Sequence, residues 1–112
     1  MAQLSITVAD RRACSVITLY GDLDILLADR LRQALDEAIA GGHTRLVVDV
    51  ANLTFCDFVG LRTLLDAHRR ATAAGGWLRL AYVHGALKRL LTVSRRSGAV
   101  PGDADLVVIM TR

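Results

Sequence analysis

Two Gly-Gly pairs, Gly41-Gly42 and Gly75-Gly76, constrain this chain most. Each follows a stretch in which leucines recur at helical spacing, and each precedes a short run that reads as a strand. Glycine after a periodic segment is a helix stop, because it adopts the left-handed backbone that ends a helix without a steric penalty. A chain of 112 residues has room for one core, and helices that stop at glycine before strands make it one layered α/β domain spanning 1–112, without an internal repeat.

The segments around the pairs fill in the order. Before the first pair, Leu27, Leu31, Leu35 and Ala38 fall on one helical stripe. Asp29, Arg30, Arg32, Gln33, Asp36 and Glu37 take the other faces, and Asp24 is the predicted N-cap. Before the second pair, Asp57 opens a helix with Leu61, Leu64, Leu65 and His68 inward. Between the helices, residues 45–50 (RLVVDV) show little alternation, which predicts a strand buried on both faces. Residues 51–56 read as a loop or as its continuation. After the second pair, residues 77–83 alternate as a strand, and a helix follows over 86–96 with Leu87, Leu90 and Leu91 inward.

Residues 4–9 and 13–20 alternate on either side of Asp10-Arg11-Arg12, which predicts a hairpin whose second strand ends at Gly21. Cys14 then lies inside a strand. Residues 103–112 read two ways. Their β-branched content favours a strand, whereas Asp103 or Asp105 as an N-cap favours a short helix. The apolar run Leu106–Met110 completes the core or forms a dimer edge. The order β-β-α-β-α-β-α predicts a mixed sheet, with right-handed crossovers making the later strands parallel.

Composition excludes several classes. Hydrophobic residues make up 53% of the chain, enough to bury a core and unlike a disordered segment. Asp or Arg interrupts every apolar stretch well short of the roughly 20 residues of a membrane span. The start, MAQLSITVADRR, lacks a basic segment followed by an apolar one, so a cytoplasmic protein without membrane insertion is expected. The net charge of +3 is uneven: residues 1–60 carry 5 Arg against 8 acids, and residues 61–112 carry 9 basic residues against 3 acids. With five aromatics and arginines spread along the chain, this reads as a solvated helical surface and not as a nucleic-acid site.

Sites of chemistry are sparse. His43, His68 and His84 stand far apart and neither cysteine has a CxxC partner, so no metal is expected. Neither a phosphate loop nor a dinucleotide-binding glycine pattern occurs, so no cofactor is expected. None of Ser5, Ser15, Ser94 and Ser97 sits in a strand-to-helix elbow, and no enzyme is expected. Cys56 is open to two roles. A helix start can lower a thiol pKa and make a nucleophile or redox centre, or the residue is a small apolar filler at a strand end.

The stretch Thr54-Phe55-Cys56-Asp57-Phe58-Val59-Gly60-Leu61 is the most informative. Asp57 suits the free N–H groups and positive end of the helix. Gly60 in the first turn lowers helix propensity by about 1 kcal/mol relative to Ala, which points to close approach of another surface. Phe58 is either a staple tucked into the domain or an exposed anchor for a partner.

This stretch, with three others, resembles the STAS family and within it the bacterial anti-sigma factor antagonists. Gly21-Asp22-Leu23-Asp24 looks like the family's turn before the first helix, and Arg45–Val50 like its central strand. Asp57-Phe58-Val59-Gly60-Leu61 is similar to its D-S-S/T-G-L motif, and Ala73–Leu80 to its next helix end and strand. The resemblance implies a mixed four- to five-stranded sheet with helices packed largely on one side. It implies a non-enzymatic interaction module that binds an anti-sigma factor carrying a histidine-kinase-like ATPase domain and so frees a sigma factor. It also implies a switch, in which that partner phosphorylates a hydroxyl in the motif.

Here the hydroxyl positions hold Phe58 and Val59. Thr54 and Thr63 lie nearby, but either would present a different face to a kinase. Three consequences compete: an antagonist never switched off by phosphate, the STAS subunit of a lipid-trafficking ABC transporter, or a ligand-sensing STAS module. The expected contact surface comprises Asp22 and Asp24 with Asp57, Phe58, Val59, Gly60, Leu61 and Arg62. In it Asp24 and Asp57 supply charge and caps, Phe58 and Val59 apolar contact, Gly60 room, and Arg62 a rim charge.

Overall fold

The computed structural model describes residues 3–97 and 107–110. The alternating N-terminal residues form an antiparallel hairpin of β1 (Leu4–Asp10) and β2 (Ser15–Leu23), in register from Leu4 opposite Gly21 to Asp10 opposite Ser15. Cys14 lies in the turn between them, half-buried, and not in a strand as the alternation predicts. Nor does Gly21 end β2. It takes φ +106°, where a Cβ would sit 2.2 Å from the Gln3 carbonyl oxygen, and the strand bends through it to Leu23. The pairing of β2 with its next neighbour shifts at this point. Glycine therefore serves as a bulge that re-aims Asp22 and Leu23.

The chain continues through α1 (Ala28–Ala40), β3 (Arg45–Cys56), α2 (Phe58–Ala73), β4 (Trp77–Ala81), α3 (Gly85–Ser97) and β5 (Val107–Met110). The sheet order is β1-β2-β3-β4-β5, parallel from β2 onward. Each helix thus joins adjacent parallel strands, and every step runs in the same direction. Right-handed crossovers of that kind put all three helices on one face, and α2 accordingly packs against both α1 and α3. The β-branched reading of the C-terminal run prevails over the helical one for Val107–Met110. Asp103, Asp105 and Leu106 lie outside the described residues.

The core lies between the sheet and the helix layer. Ile17, Leu19, Leu46, Leu78 and Leu80 come from the sheet, and Leu31, Leu35, Leu61, Leu64 and Leu87 from the helices. Burying a side chain of this size contributes about 1.5–3 kcal/mol. The expectation for residues 45–50 fails in one respect. Leu46, Val48 and Val50 are buried, but Val47 and Asp49 are half-buried on the face without helices. A sheet with all its crossovers on one side leaves the other side open, so an apolar run does not require two covered faces. On that open face the Arg79 guanidinium lies 3.9 Å from the Trp77 ring centroid, a cation–π contact that covers the indole.

His68 is a packed core histidine. Its Nδ1 accepts a long hydrogen bond of 3.4 Å from the Leu78 N–H, which leaves the proton on Nε2. His84 Nε2 approaches the Val50 and Ala51 carbonyl oxygens at 3.1 and 2.9 Å and fixes the loop before α3 to β3.

Candidate partner-binding site

Asp57 organises the site. Its backbone is extended (φ −100°, ψ −177°), and its Oδ1 accepts the Gly60 N–H at 2.9 Å, the N-cap bond of α2. Its Oδ2 accepts the Ile25 N–H at 2.8 Å, and its own N–H donates to the Leu23 carbonyl at 3.1 Å. One residue thereby fastens the start of α2, the end of β2 and the turn that follows it. The positive end of α2 favours the carboxylate there.

Asp24 acts more locally than predicted. Its Oδ1 accepts the Leu26 and Leu27 N–H groups, both at 3.0 Å, and its carbonyl accepts those of Leu27 and Ala28. It therefore caps a turn over residues 24–27. Helix α1 begins only at Ala28, with Leu27 at its N-cap and no side-chain cap bond. The Asp24 bonds are those an N-cap makes, to the N–H groups two and three residues ahead, but residues 25–27 form a turn and not helix, so the capped segment is the turn that leads into α1. Asp22 is engaged across the strands, with its Oδ1 accepting the Thr54 hydroxyl at 2.8 Å.

The expected contact residues separate into two layers. Gly60 and Leu61 are buried. A Cβ on Gly60 would stand 2.6 Å from the Leu23 carbonyl oxygen and 3.1 Å from Cys56 Sγ. The close approach read from this glycine is therefore to the end of its own β2. Phe58 and Val59 are 42% and 39% exposed, so the aromatic ring is not tucked into the domain. Arg62 is exposed beside them.

Ile25 and Leu26, absent from the expected set, are 65% and 81% exposed and join the same strip through the Ile25–Asp57 bond. Three consecutive apolar residues at a helix start were the signal for them. An exposed aliphatic and aromatic strip at the ends of two strands is the kind of surface that mediates protein contacts. Neither nearby threonine carries a free hydroxyl, since Thr54 donates to Asp22 and Thr63 donates to the Val59 carbonyl at 3.0 Å.

Cys56 is a core residue. It is 2% exposed, and its thiol is pushed up to about 12, first by burial and second by the Asp57 charge. Desolvation outweighs the helix end, and the nucleophile or redox reading is withdrawn. Among the described residues no three or more His, Cys, Asp or Glu side chains cluster in a way that could hold a metal ion. Among them also, no helix is long and apolar enough to cross a membrane.

The family model described as Mlab, STAS domain, matches residues 6–107. The chain belongs to the STAS domain family. An anti-sigma-F factor antagonist of Mycobacterium tuberculosis, RsfB, is 34% identical over 61 residues, 54% of this chain and 50% of that protein. The STAS domain thus aligns with half of that relative's length. An anti-sigma F factor antagonist of Paenibacillus polymyxa is 30% identical over 92 residues, 81% of this chain and 79% of that one. In fold, the domain is similar to the crystal structure of an anti-sigma factor antagonist from Mycobacterium paratuberculosis. The TM-score is 0.75 at 23% identity, covering 88% of this chain and 84% of the other. The mixed sheet and its helix layer are those of a STAS domain, with Asp57 to Leu61 at the start of the second helix.

Proposed function

We propose that this STAS domain is an anti-sigma factor antagonist that escapes phosphorylation at the start of its second helix. One observation carries the reading: the positions where the resemblance implies a hydroxyl hold Phe58 and Val59, and both side chains are exposed. The strip of Ile25, Leu26, Phe58 and Val59 docks on an anti-sigma factor with a histidine-kinase-like ATPase domain, with Arg62 at its rim. A phosphate brings nearly two negative charges and disrupts such an apolar interface by desolvation and by repulsion from neighbouring acids. Without an acceptor hydroxyl there, that disruption cannot occur, and the antagonist stays competent. Gly60 and Leu61 contribute from beneath by fixing the helix start against β2. Action on a sigma factor places the protein in the cytoplasm.

The test is affinity purification of the tagged protein from its own cells, with mass spectrometry of both bait and partners. Recovery of an ATPase-domain anti-sigma factor with no phosphate on the bait supports the reading. Recovery of a transporter ATPase instead overturns it. With the purified partner, Phe58→Asp is expected to weaken binding at least tenfold, whereas unchanged binding removes residue 58 from the interface. Phe58→Ser is expected to bind and to become a substrate of the partner's kinase activity.

A further inference from the structure

Strand β1 is one edge of the sheet. In an antiparallel pair, residues alternate between those bonded to the neighbouring strand and those whose backbone groups face away. The Asp22 N–H donates to the Gln3 carbonyl at 2.7 Å and the Arg11 N–H to the Cys14 carbonyl at 2.8 Å. Odd-numbered residues therefore bond to β2, and the N–H and C=O groups of Leu4, Ile6, Val8 and Asp10 face outward. The Leu4 carbonyl is met by Arg30 Nη1 at 2.6 Å, which brings the guanidinium to this end of the edge. Natural edges are commonly blocked by Lys, Pro or an inward charge; residues 5–9 contain none of these, and the charges at this edge lie at its ends, Arg30 on the Leu4 carbonyl and Asp10 at the other. Val8 is 51% exposed, beside a partly buried Ile6 on the same side.

We infer that β1 pairs antiparallel with β1 of a second copy of this chain, about a two-fold axis at Thr7. This register pairs outward-facing residues with outward-facing residues along the whole strand. Ile6 meets Val8 of the second copy, and Leu4, whose carbonyl keeps its bond to Arg30, faces Asp10 at each end, with the side chains on the helix side of both sheets. Charge complementarity selects the occupant. Asp10 of each copy, whose Oδ1 accepts the Ser15 hydroxyl at 2.8 Å and lies 3.8 Å from His43 Nδ1, comes at the far end of β1 beside Arg30 of the other, at the Leu4 end. The same contact forms twice, as a two-fold interface requires. The result is a continuous ten-stranded sheet that leaves both candidate partner strips at the ends of their strands uncovered. A contact through one strand and its flanking side chains is small, so the dimer is weak and concentration-dependent. The inference is independent of the proposed function.

Sedimentation velocity from micromolar to several hundred micromolar protein tests it. The mass is expected to rise from that of the monomer towards twice that value. Val8→Pro removes an outward N–H without touching a bond to β2, and is expected to leave a folded monomer at every concentration. Val8→Lys, which puts a charge opposite Ile6 of the second copy, is expected to do the same and serves if the proline variant fails to fold. Asp10→Arg and Arg30→Asp are each expected to shift the midpoint at least tenfold upward, and the double exchange to recover it. A monomer throughout the range, or a dimer unaffected by Val8→Pro and Val8→Lys, overturns the inference.

Discussion

The two helix starts beside the candidate site look alike in sequence and differ in construction. Each follows a strand, and each has an aspartate at the junction. Asp24 spends its side chain on N–H groups two and three residues ahead and closes a turn, after which α1 begins uncapped at Ala28. Asp57 splits its two oxygens between its own helix and the turn of the other junction. The first aspartate shapes a segment; the second holds two segments together. An exposed apolar strip can keep a defined shape only if something beneath it is rigid, and that rigidity comes from the second arrangement. The buried Gly60 backbone, pressed against Leu23, completes it.

This contrast can be broken at graded cost. Gly60→Ala is expected to have the largest effect. The clash with a backbone oxygen costs about 3 kcal/mol, against a helix-propensity gain of about 1 kcal/mol. Chemical denaturation should show the net loss as a lower midpoint with an unchanged slope. Asp57→Ala comes next. The cap alone is worth about 1–2 kcal/mol, and the variant should also loosen the 24–27 turn, read as faster amide exchange at Ile25. Asp24→Ala is expected to cost about 1 kcal/mol and to leave exchange at Gly60 unchanged. Equal effects of the two aspartate variants on both amides would erase the distinction.

Thiol labelling sharpens the same comparison with the least perturbation. Cys56 lies under the α2 start with its thiol raised to about 12, so near pH 8 it should react far more slowly than half-buried Cys14. Asp57→Ala should speed labelling of Cys56, and Asp24→Ala should not. The raised pKa also has a sign in stability. Between the ordinary value of 9.0 and about 12, the unfolded thiol ionises while the folded one stays neutral, so the fold loses stability as pH rises through that window.

Much of this was legible in the chain. Helical spacing located all three helices and glycine pairs the ends of the first two, and the cost of glycine in a first turn located the close approach at Gly60. The Asp57 cap was legible for the same local reason. What escaped depended on contacts distant in sequence. Gly21 reads as a stop because glycine usually is one, and only the neighbouring Gln3 carbonyl shows it to be a bulge inside β2. Residues 25–27 form a turn before α1, tied to the α2 start by the Ile25–Asp57 bond across 32 residues, which local capping signals do not show. Phe58 had two readings because propensity does not say which side of a helix start faces solvent. Cys56 was ambiguous because the helix end and desolvation push a thiol in opposite directions, and only its depth decides which prevails.

The double engagement of the Asp57 carboxylate separates two properties that share one short motif. Its oxygens are committed to the Gly60 and Ile25 amides, and neither bond involves a neighbouring hydroxyl. The scaffold of the motif is therefore chemically autonomous from its switch. A sequence can keep the aspartate, glycine and leucine, and with them the architecture of the helix start, with no hydroxyl at the two positions between aspartate and glycine, which Phe58 and Val59 hold here.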